Sequence, residues 1–375
     1  MKAIGIKENI EGITALEIPE PEIETGNQAK VEIIEAALDG TDRAIIKNKL
    51  IDPPLGEDKL VLGHEAVGRV IQVGSDIKRL KVGDIVVPTA RRGCNQCSSC
   101  LHGMSDMCST GLYKERGIHK LHGFFTEYIV EEDEYLVLVP EGIKHLAVLT
   151  EPLSIGEKAL EQIQHVQARL PWACSHPDHR FEEPGWGGCK KALVVGAGPL
   201  GFLAAALLVV EGVETYVAVN RGEDSIKVKY LKEMRAHVID SRDSDMKKVI
   251  DQTGTLDVII EATGAAQLAM DLVGGLGRNG IYVFTGIPRG SRQVCLDGDM
   301  LLRQIVRYNQ VIIGSVNSNH THFESALKHL GSMQETFGPV IDKVITDRFP
   351  MDDFKEAFSL KDPDMIKVVL EIGKW

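Results

Sequence analysis

Four cysteines crowd one short stretch, Cys94-x2-Cys97-x2-Cys100-x7-Cys108. Four thiolates at that spacing can close a tetrahedral site around zinc with no open position, which makes the site structural, not catalytic. A disulfide pair is the competing reading, but cysteines three residues apart in one loop would strain to bridge. A nucleic-acid-binding zinc ribbon is another, and it usually brings basic character. A catalytic metal would need other ligands. Candidates are Asp39 in Asp39-Gly40-Thr41-Asp42, His64 in Gly63-His64-Glu65, and Glu151 in Glu151-Pro152. Taken singly, each has a plainer reading: His64 as a hydrogen-bonded structural histidine, Asp39 as a helix cap. Cys174, His176, His179 and Cys189 could hold a further ion, although their spacing matches no common template.

A second kind of chemistry is written in Gly196-Ala197-Gly198-Pro199-Leu200-Gly201. The motif follows an apolar strand and opens an apolar helix. Gly196 permits the tight turn, Gly198 lets the backbone approach a pyrophosphate, Gly201 allows close helix-strand packing, and the helix N-terminus attracts the anion. A purely structural strand-turn-helix is the alternative. The next strand ends at Asn220-Arg221, where an NAD site usually has an acidic residue on the ribose. Asn220 removes the repulsive carboxylate and Arg221 can pair a 2′-phosphate, which favours NADP over NAD. Read plainly, Arg221 is a solvated surface charge. Gly222 and Glu223 add no second cation.

These motifs need elements to position them. Short apolar runs at 30–34, 68–73, 84–88 and 127–130, punctuated by Gly and Pro, predict a compact β-rich, barrel-like domain. From Lys190 the texture alternates: strands at 192–195, 216–219, 256–260 and 281–284, with helices at 202–211 and 225–236. That is the signature of a parallel βαβ sheet. Beyond about residue 310 we expect loops and a few strands, closing with 367–372 and packing back on the first domain. Residues 165 to 189 have loop composition and read as an ordered insertion. The run 192–210 holds nineteen uncharged residues, long enough to cross a membrane, but its glycines and proline split it into a buried strand and a buried helix.

The 375 residues allow two or three domains, and 43% apolar with 26% charged is an ordinary globular balance. A net charge of −12 argues against nucleic-acid or anionic-membrane binding. No signal peptide opens the chain, because Lys7, Glu8 and Glu11 interrupt any apolar core, so a cytoplasmic protein is expected.

Gly63-His64-Glu65-Ala66-Val67-Gly68, the four-cysteine lobe, Glu151-Pro152 and the late glycine fingerprint, in this order, resemble the zinc-dependent medium-chain alcohol dehydrogenases. More narrowly, Asp39-Gly40-Thr41-Asp42, Glu115-Arg116-Gly117-Ile118-His119, Glu151-Pro152-Leu153-Ser154-Ile155 with Glu157-Lys158-Ala159, and Gly314-Ser315-Val316-Asn317-Ser318 are similar to archaeal-type glucose dehydrogenases. The resemblance implies an α/β protein: a GroES-like β-rich catalytic domain at 1–160 with a structural zinc lobe at about 90–110, a junction insertion at 161–189, a doubly wound Rossmann NADP-binding domain at 190–310, and a return to the catalytic domain at 311–375. It implies a catalytic zinc on Asp39, His64 and Glu151, with Glu65 behind it or exchanging into it, and so two zinc ions per chain. Asp39 stands where the wider superfamily usually has cysteine, which keeps the charge but swaps soft sulfur for hard oxygen. The resemblance gives Thr41 the first step of a proton relay. The histidine that often continues that relay would fall at Ala44, which leaves Asp42 or water as the outward path. Sugar contacts are implied for Glu115 and Asn317, with Thr41, Glu65 and Glu151 also facing substrate. Cofactor contacts are implied for Gly196, Gly198, Pro199, Leu200, Gly201, Asn220, Arg221, Thr285, Gly286, Ser315, Val316 and Asn317. The expected reaction is oxidation of D-glucose, or of galactose, at C1 to the lactone with NADP+ or NAD+, in a homo-oligomer (dimer or tetramer). A polyol or secondary-alcohol dehydrogenase of the same fold is the alternative. A non-catalytic relative would be expected to lose the zinc ligands.

Overall fold

The computed structural model describes residues 1–169, 188–242, 246–288, 290 and 293–375. Cys174, His176 and His179 lie outside them. The chain forms two compact units: Met1–Ser154 with Asn317–Gly331 and Asp342–Trp375, and Ile155–Val316 with Ser332–Ile341. The first unit is therefore discontinuous in sequence.

Its centre is a seven-stranded sheet ordered Leu136–Leu138, Ile85–Pro88, Glu65–Val73, Gln28–Leu38, Lys367–Glu371 and Ile345–Pro350, with Tyr128–Glu132 also paired to Gln28–Leu38. Every run expected as a strand in this region is one. The long Gln28–Leu38 strand is buried along most of its length because Val31, Ile33, Ala36 and Leu38 enter one core. Its register opposes Ala37 to Glu65 on one side and Leu38 to Val368 on the other. Asp39, His64 and Lys367 consequently gather at the same end of three adjacent strands. In the Tyr128–Glu132 strand of this sheet a buried carboxylate, Glu131, is shared by two arginines. Arg116 Nη2 and Nε reach its Oε2 at 2.7 and 3.1 Å, and Arg92 Nη2 bonds the same oxygen.

The second unit holds a six-stranded parallel sheet ordered His237–Asp240, Glu214–Val219, Lys191–Val195, Leu256–Glu261, Leu276–Phe284 and Val311–Gly314. The order reverses between Lys191–Val195 and Leu256–Glu261, where doubly wound sheets open a crevice at their strand ends. The uncharged run 192–210 divides, as its glycines demand, into strand Lys191–Val195 and helix Pro199–Val210. No helix among the described residues is long and apolar enough to cross a membrane.

Two expectations are corrected. Residues assigned to the start of the insertion continue a helix, Thr150–Gln167, through position 167. The tail is not mainly loops and strands: His320–Phe337 is an 18-residue helix. Phe323, Ala326, Leu327, Leu330 and Met333 recur at helical spacing and are all buried, while histidines and Gly331 between them disguise the period. Strand Val311–Gly314 also joins the parallel sheet, so the return to the first unit begins at Asn317.

Candidate metal and dinucleotide sites

Asp39 ends the Gln28–Leu38 strand and caps the helix Gly40–Asn48, its Oδ2 accepting Thr41 N at 2.7 Å. The plain reading of Asp39 as a cap is correct, and it does not exclude the other. The same Oδ2 lies 3.7 Å from His64 Nε2, close to the roughly 3.4 Å edge of a tetrahedron built on bonds of about 2.1 Å. His64 is buried and follows Gly63, whose φ of 89° suits glycine and whose missing Cβ would stand 2.8 Å from the Phe125 ring. His64, Glu65 and Glu151 bring one donor atom each to within 4.8 Å of one another, all buried. Asp39 joins this group at His64.

The electrostatics are those of a cation site. Burial pushes Glu151 up to about 7, with the charge of His64 partly offsetting it. Burial likewise pushes Glu65 up to about 8, against the pull of Lys367. Burial would also raise Asp39, but the charges of His64 and Lys367 and the Thr41 hydrogen bonds outweigh it and hold that carboxyl below its ordinary value. His64 is held above its ordinary value because Asp42, Glu151 and Asp39 overcome its desolvation. Lys367 balances Glu65, which leaves the buried Glu151 and the part-exposed Asp39 on either side of His64, and that donor set of imidazole nitrogen and carboxylate oxygen suits zinc.

Sequence reasoning missed Lys367 here and left Asp42 open as an outward path beside water. Lys367, fully buried, places Nζ 2.7 and 2.5 Å from the two Glu65 oxygens. The only sequence signal was a lysine heading the apolar run Val368-Val369-Leu370. Asp42 is not an outward relay. Its carboxylate is fully buried, Oδ2 accepts Asp39 N at 2.9 Å, Oδ1 accepts Gly63 N at 3.2 Å, and Oδ1 stands 3.8 Å from His64 Nδ1. A carboxylate behind a histidine orients the ring and raises its basicity as a ligand. Thr41, half-buried in the first helical turn, is the hydroxyl beside Asp39.

The four cysteines likewise lie within 4.8 Å of one another, and Cys94 Sγ is 3.9 Å from Cys100 Sγ. A tetrahedron with Zn–S bonds of about 2.3 Å has edges of about 3.8 Å. Main-chain N–H groups of Cys100 and Ser109 lower Cys97 to about 5, the thiolate a metal needs. Glu115 is buried and tied to Arg91, Nε to Oε1 2.9 Å. Asn317 adopts φ 60° at the entry to the returning segment.

In the second unit Gly196 has φ 102°, and a Cβ there would stand 2.7 Å from Thr263 Cγ2. A Cβ on Gly201 would meet Gly196 O at 2.2 Å, whereas one on Gly198 would meet nothing within 4 Å. The turn is tight beneath and open above, the shape an approaching pyrophosphate requires. Pro199 and Leu200 open the helix above it. One pocket is lined by Gly196, Gly198, Asn220, Arg221, Lys227 and Thr263 among others. Lys227 corrects the expectation of a single cation, since it lines the same pocket from the first turn of helix Ile226–Glu233, beyond Gly222-Glu223. Arg221 Nη1 bonds Asn220 O and Oδ1, both at 2.8 Å. Glu261, also missed, shapes the rim by accepting Thr263 N at 2.6 Å and Gly264 N at 3.0 Å. Thr285 N and Gly286 N both bond Glu261 O. Ser315 is buried, its hydroxyl without a partner among the described residues, and Val316 O accepts Lys158 Nζ at 2.9 Å.

Comparison with known proteins gives two family matches: Glucose dehydrogenase C-terminus over residues 144–372 and Alcohol dehydrogenase GroES-like domain over 25–141. Glucose 1-dehydrogenase 2 of Vulcanisaeta moutnovskia is 37% identical over 374 residues, 99% of each chain. Glucose 1-dehydrogenase of Methanocella arvoryzae is 33% identical over 92% of this chain and 91% of its own. Among solved structures, Haloferax mediterranei glucose dehydrogenase in complex with NADP, Zn and gluconolactone matches with TM-score 0.86 and 33% identity, covering 99% of both chains.

Proposed function

The chain belongs to the glucose dehydrogenases of the medium-chain alcohol dehydrogenase superfamily, and we propose from its two sites how it oxidises D-glucose at C1 with NADP+. The observation that carries the reading is the buried group His64, Glu65 and Glu151, with Asp39 against His64. Asp39, His64 and Glu151 would hold the catalytic zinc, and the four cysteines would hold a second. When bound, the catalytic ion supplies a Lewis acid that makes the C1 hydroxyl of the sugar easier to deprotonate. Thr41 Oγ1 takes that proton at the mouth of the helix Gly40–Asn48, and water carries it outward because Asp42 faces inward. Lys367 holds Glu65 back from the ligand set, and Asp42 holds the His64 ring. NADP+ would supply the acceptor for the hydride leaving C1, with the Gly196–Gly201 turn holding its pyrophosphate and Arg221 and Lys227 holding its 2′-phosphate. Thr285, Gly286, Ser315 and Val316 complete the cofactor site. Glu115 and Asn317 bind sugar hydroxyls. The homo-oligomer reading is supported by the outer strand Val311–Gly314, an open sheet edge, and by exposed Leu302 and Val306 on the helix Gly298–Arg307 that precedes it. A monomeric mass by light scattering overturns it.

The test of the activity is NADPH formation across aldoses, polyols and short alcohols. D-glucose should exceed simple alcohols in kcat/KM by about 100-fold or more, because two or three buried polar groups left unpaired by an alcohol cost about 1–3 kcal/mol each. The product should be lactone. A polyol or secondary alcohol that outperforms every aldose, galactose included, would end the reading.

Cofactor choice has its own test. Arg221→Ala removes a charge-assisted contact worth about 1.5–3 kcal/mol, so KM for NADP+ should rise about 10- to 100-fold with NAD+ little changed. Adding Lys227→Ala should weaken NADP+ again. Equal losses for both cofactors would show that neither side chain reads the 2′-phosphate.

A further inference from the structure

Asp106, buried between the last two cysteines of the lobe, faces two ways. Its main-chain carbonyl accepts Arg91 Nη1 at 2.9 Å, and its Oδ1 accepts Asn319 Nδ2 at 3.1 Å. Arg91 carries the first link onward. Its Nε is 2.9 Å from Glu115 Oε1, its guanidinium lies 3.9 Å over the Tyr113 ring, and the two residues are cross-strand partners in the small sheet. Glu115 lies in strand Lys114–Arg116, just before Gly117, where a Cβ would stand 2.5 Å from Gly63 O, next to His64. Asn319 carries the second link. Its Oδ1 accepts Thr321 N at 3.0 Å and Thr321 Oγ1 at 2.7 Å, which fixes the amide two residues beyond Asn317.

A glutamate side chain with three free torsions recognises a hydroxyl poorly until one oxygen is pinned. Arg91 pins Oε1 and leaves Oε2 for the sugar. We infer that Arg91 and Asp106 are positioning residues for sugar recognition, through which the four-cysteine lobe fixes Glu115 and Asn317 together. This rests on the reading of Glu115 and Asn317 as sugar contacts. The lobe thereby sets sugar affinity at a centre to which it contributes no ligand.

The experiment compares Arg91→Ala, Asp106→Ala and Asp106→Asn with Glu115→Gln and Asn317→Ala, all as full-length holoenzyme. It measures KM for glucose and for NADP+, kcat, glucose affinity by calorimetry, and zinc per chain. Asp106→Asn keeps a carbonyl oxygen for Asn319 and should behave as the parent. Arg91→Ala and Asp106→Ala should raise the glucose KM and dissociation constant about tenfold or more, with KM for NADP+, kcat and both zinc ions nearly unchanged. Glucose constants within twofold of the parent in both variants, while Glu115→Gln and Asn317→Ala raise them, would overturn the positioning inference alone. No effect of Glu115→Gln and Asn317→Ala overturns the sugar-contact reading and the inference with it. Equal losses toward both substrates, or lost zinc in Arg91→Ala, would mean a general scaffold role and also overturn it.

Discussion

Enzyme carrying His64→Ala is expected to lose glucose oxidation by a factor of about 1000 or more while staying folded and keeping one zinc per chain. His64 is the one nitrogen donor in its cluster, between Asp39 and Glu151, and carboxylates alone make a poor zinc site. A Lewis acid at the reacting oxygen is worth several kcal/mol, and each 1.36 kcal/mol is about tenfold in rate. The fold should survive because the sheet around the cluster rests on the Gln28–Leu38 and Glu65–Val73 pairing, which the substitution leaves intact. Metal analysis gives the decisive number: two zinc ions in an active variant would remove His64 from the ligand set. Chelator should act in the same order, emptying the oxygen-rich site before the cysteine site.

Glu131→Gln should destabilise the first unit by about 3–5 kcal/mol, because it leaves Arg92 and Arg116 buried together without their counter-charge. The acid limb of stability should report the same carboxylate. Burial would raise Glu131, but Arg116 and Arg92 bring it down to about 2 from an ordinary 4.5. A folded pKa below the unfolded one means stability that is complete above about pH 4.5 and lost as pH falls toward 2. Urea unfolding followed by hydrogen exchange in the Tyr128–Glu132 strand reads both effects. Unchanged protection in the variant would show that the arginines find other partners.

The candidate centre was legible wherever chemistry is carried by neighbours in sequence. Four cysteines within fifteen positions, glycines spaced around a strand-to-helix turn, and Asp39 ahead of a helix each declare themselves locally, and each stands where its spacing requires. What escaped is created by pairing at a distance. Lys367 looks like a surface lysine until its strand docks beside Gln28–Leu38 and carries it to Glu65, 302 residues away in sequence. Lys227 escaped because a helical turn, not sequence adjacency, returns it to Arg221. Asp42 stayed open as an outward path beside water because adjacency to Thr41 does not say which way a side chain faces, and one step around a helix turns it by about 100° and aims it at the core.

The position of Lys367 also orders events in time. Glu151 leaves the ribosome 216 residues before Lys367. At about 5 to 20 residues per second that interval is roughly 10 to 45 s. Only its last 53 residues follow Gly314, and over that part the parallel sheet of Ile155–Val316 has all its strands, whereas the seven-stranded sheet lacks Ile345–Pro350 and Lys367–Glu371. Every proposed ligand of the catalytic ion has then been synthesised, but Glu65 still lacks the counter-charge that holds it aside. Nascent chains thus pass through a stage in which every strand of the nucleotide-binding sheet has been made and the metal centre is unfinished, and maturation of that centre is a late, largely post-translational event.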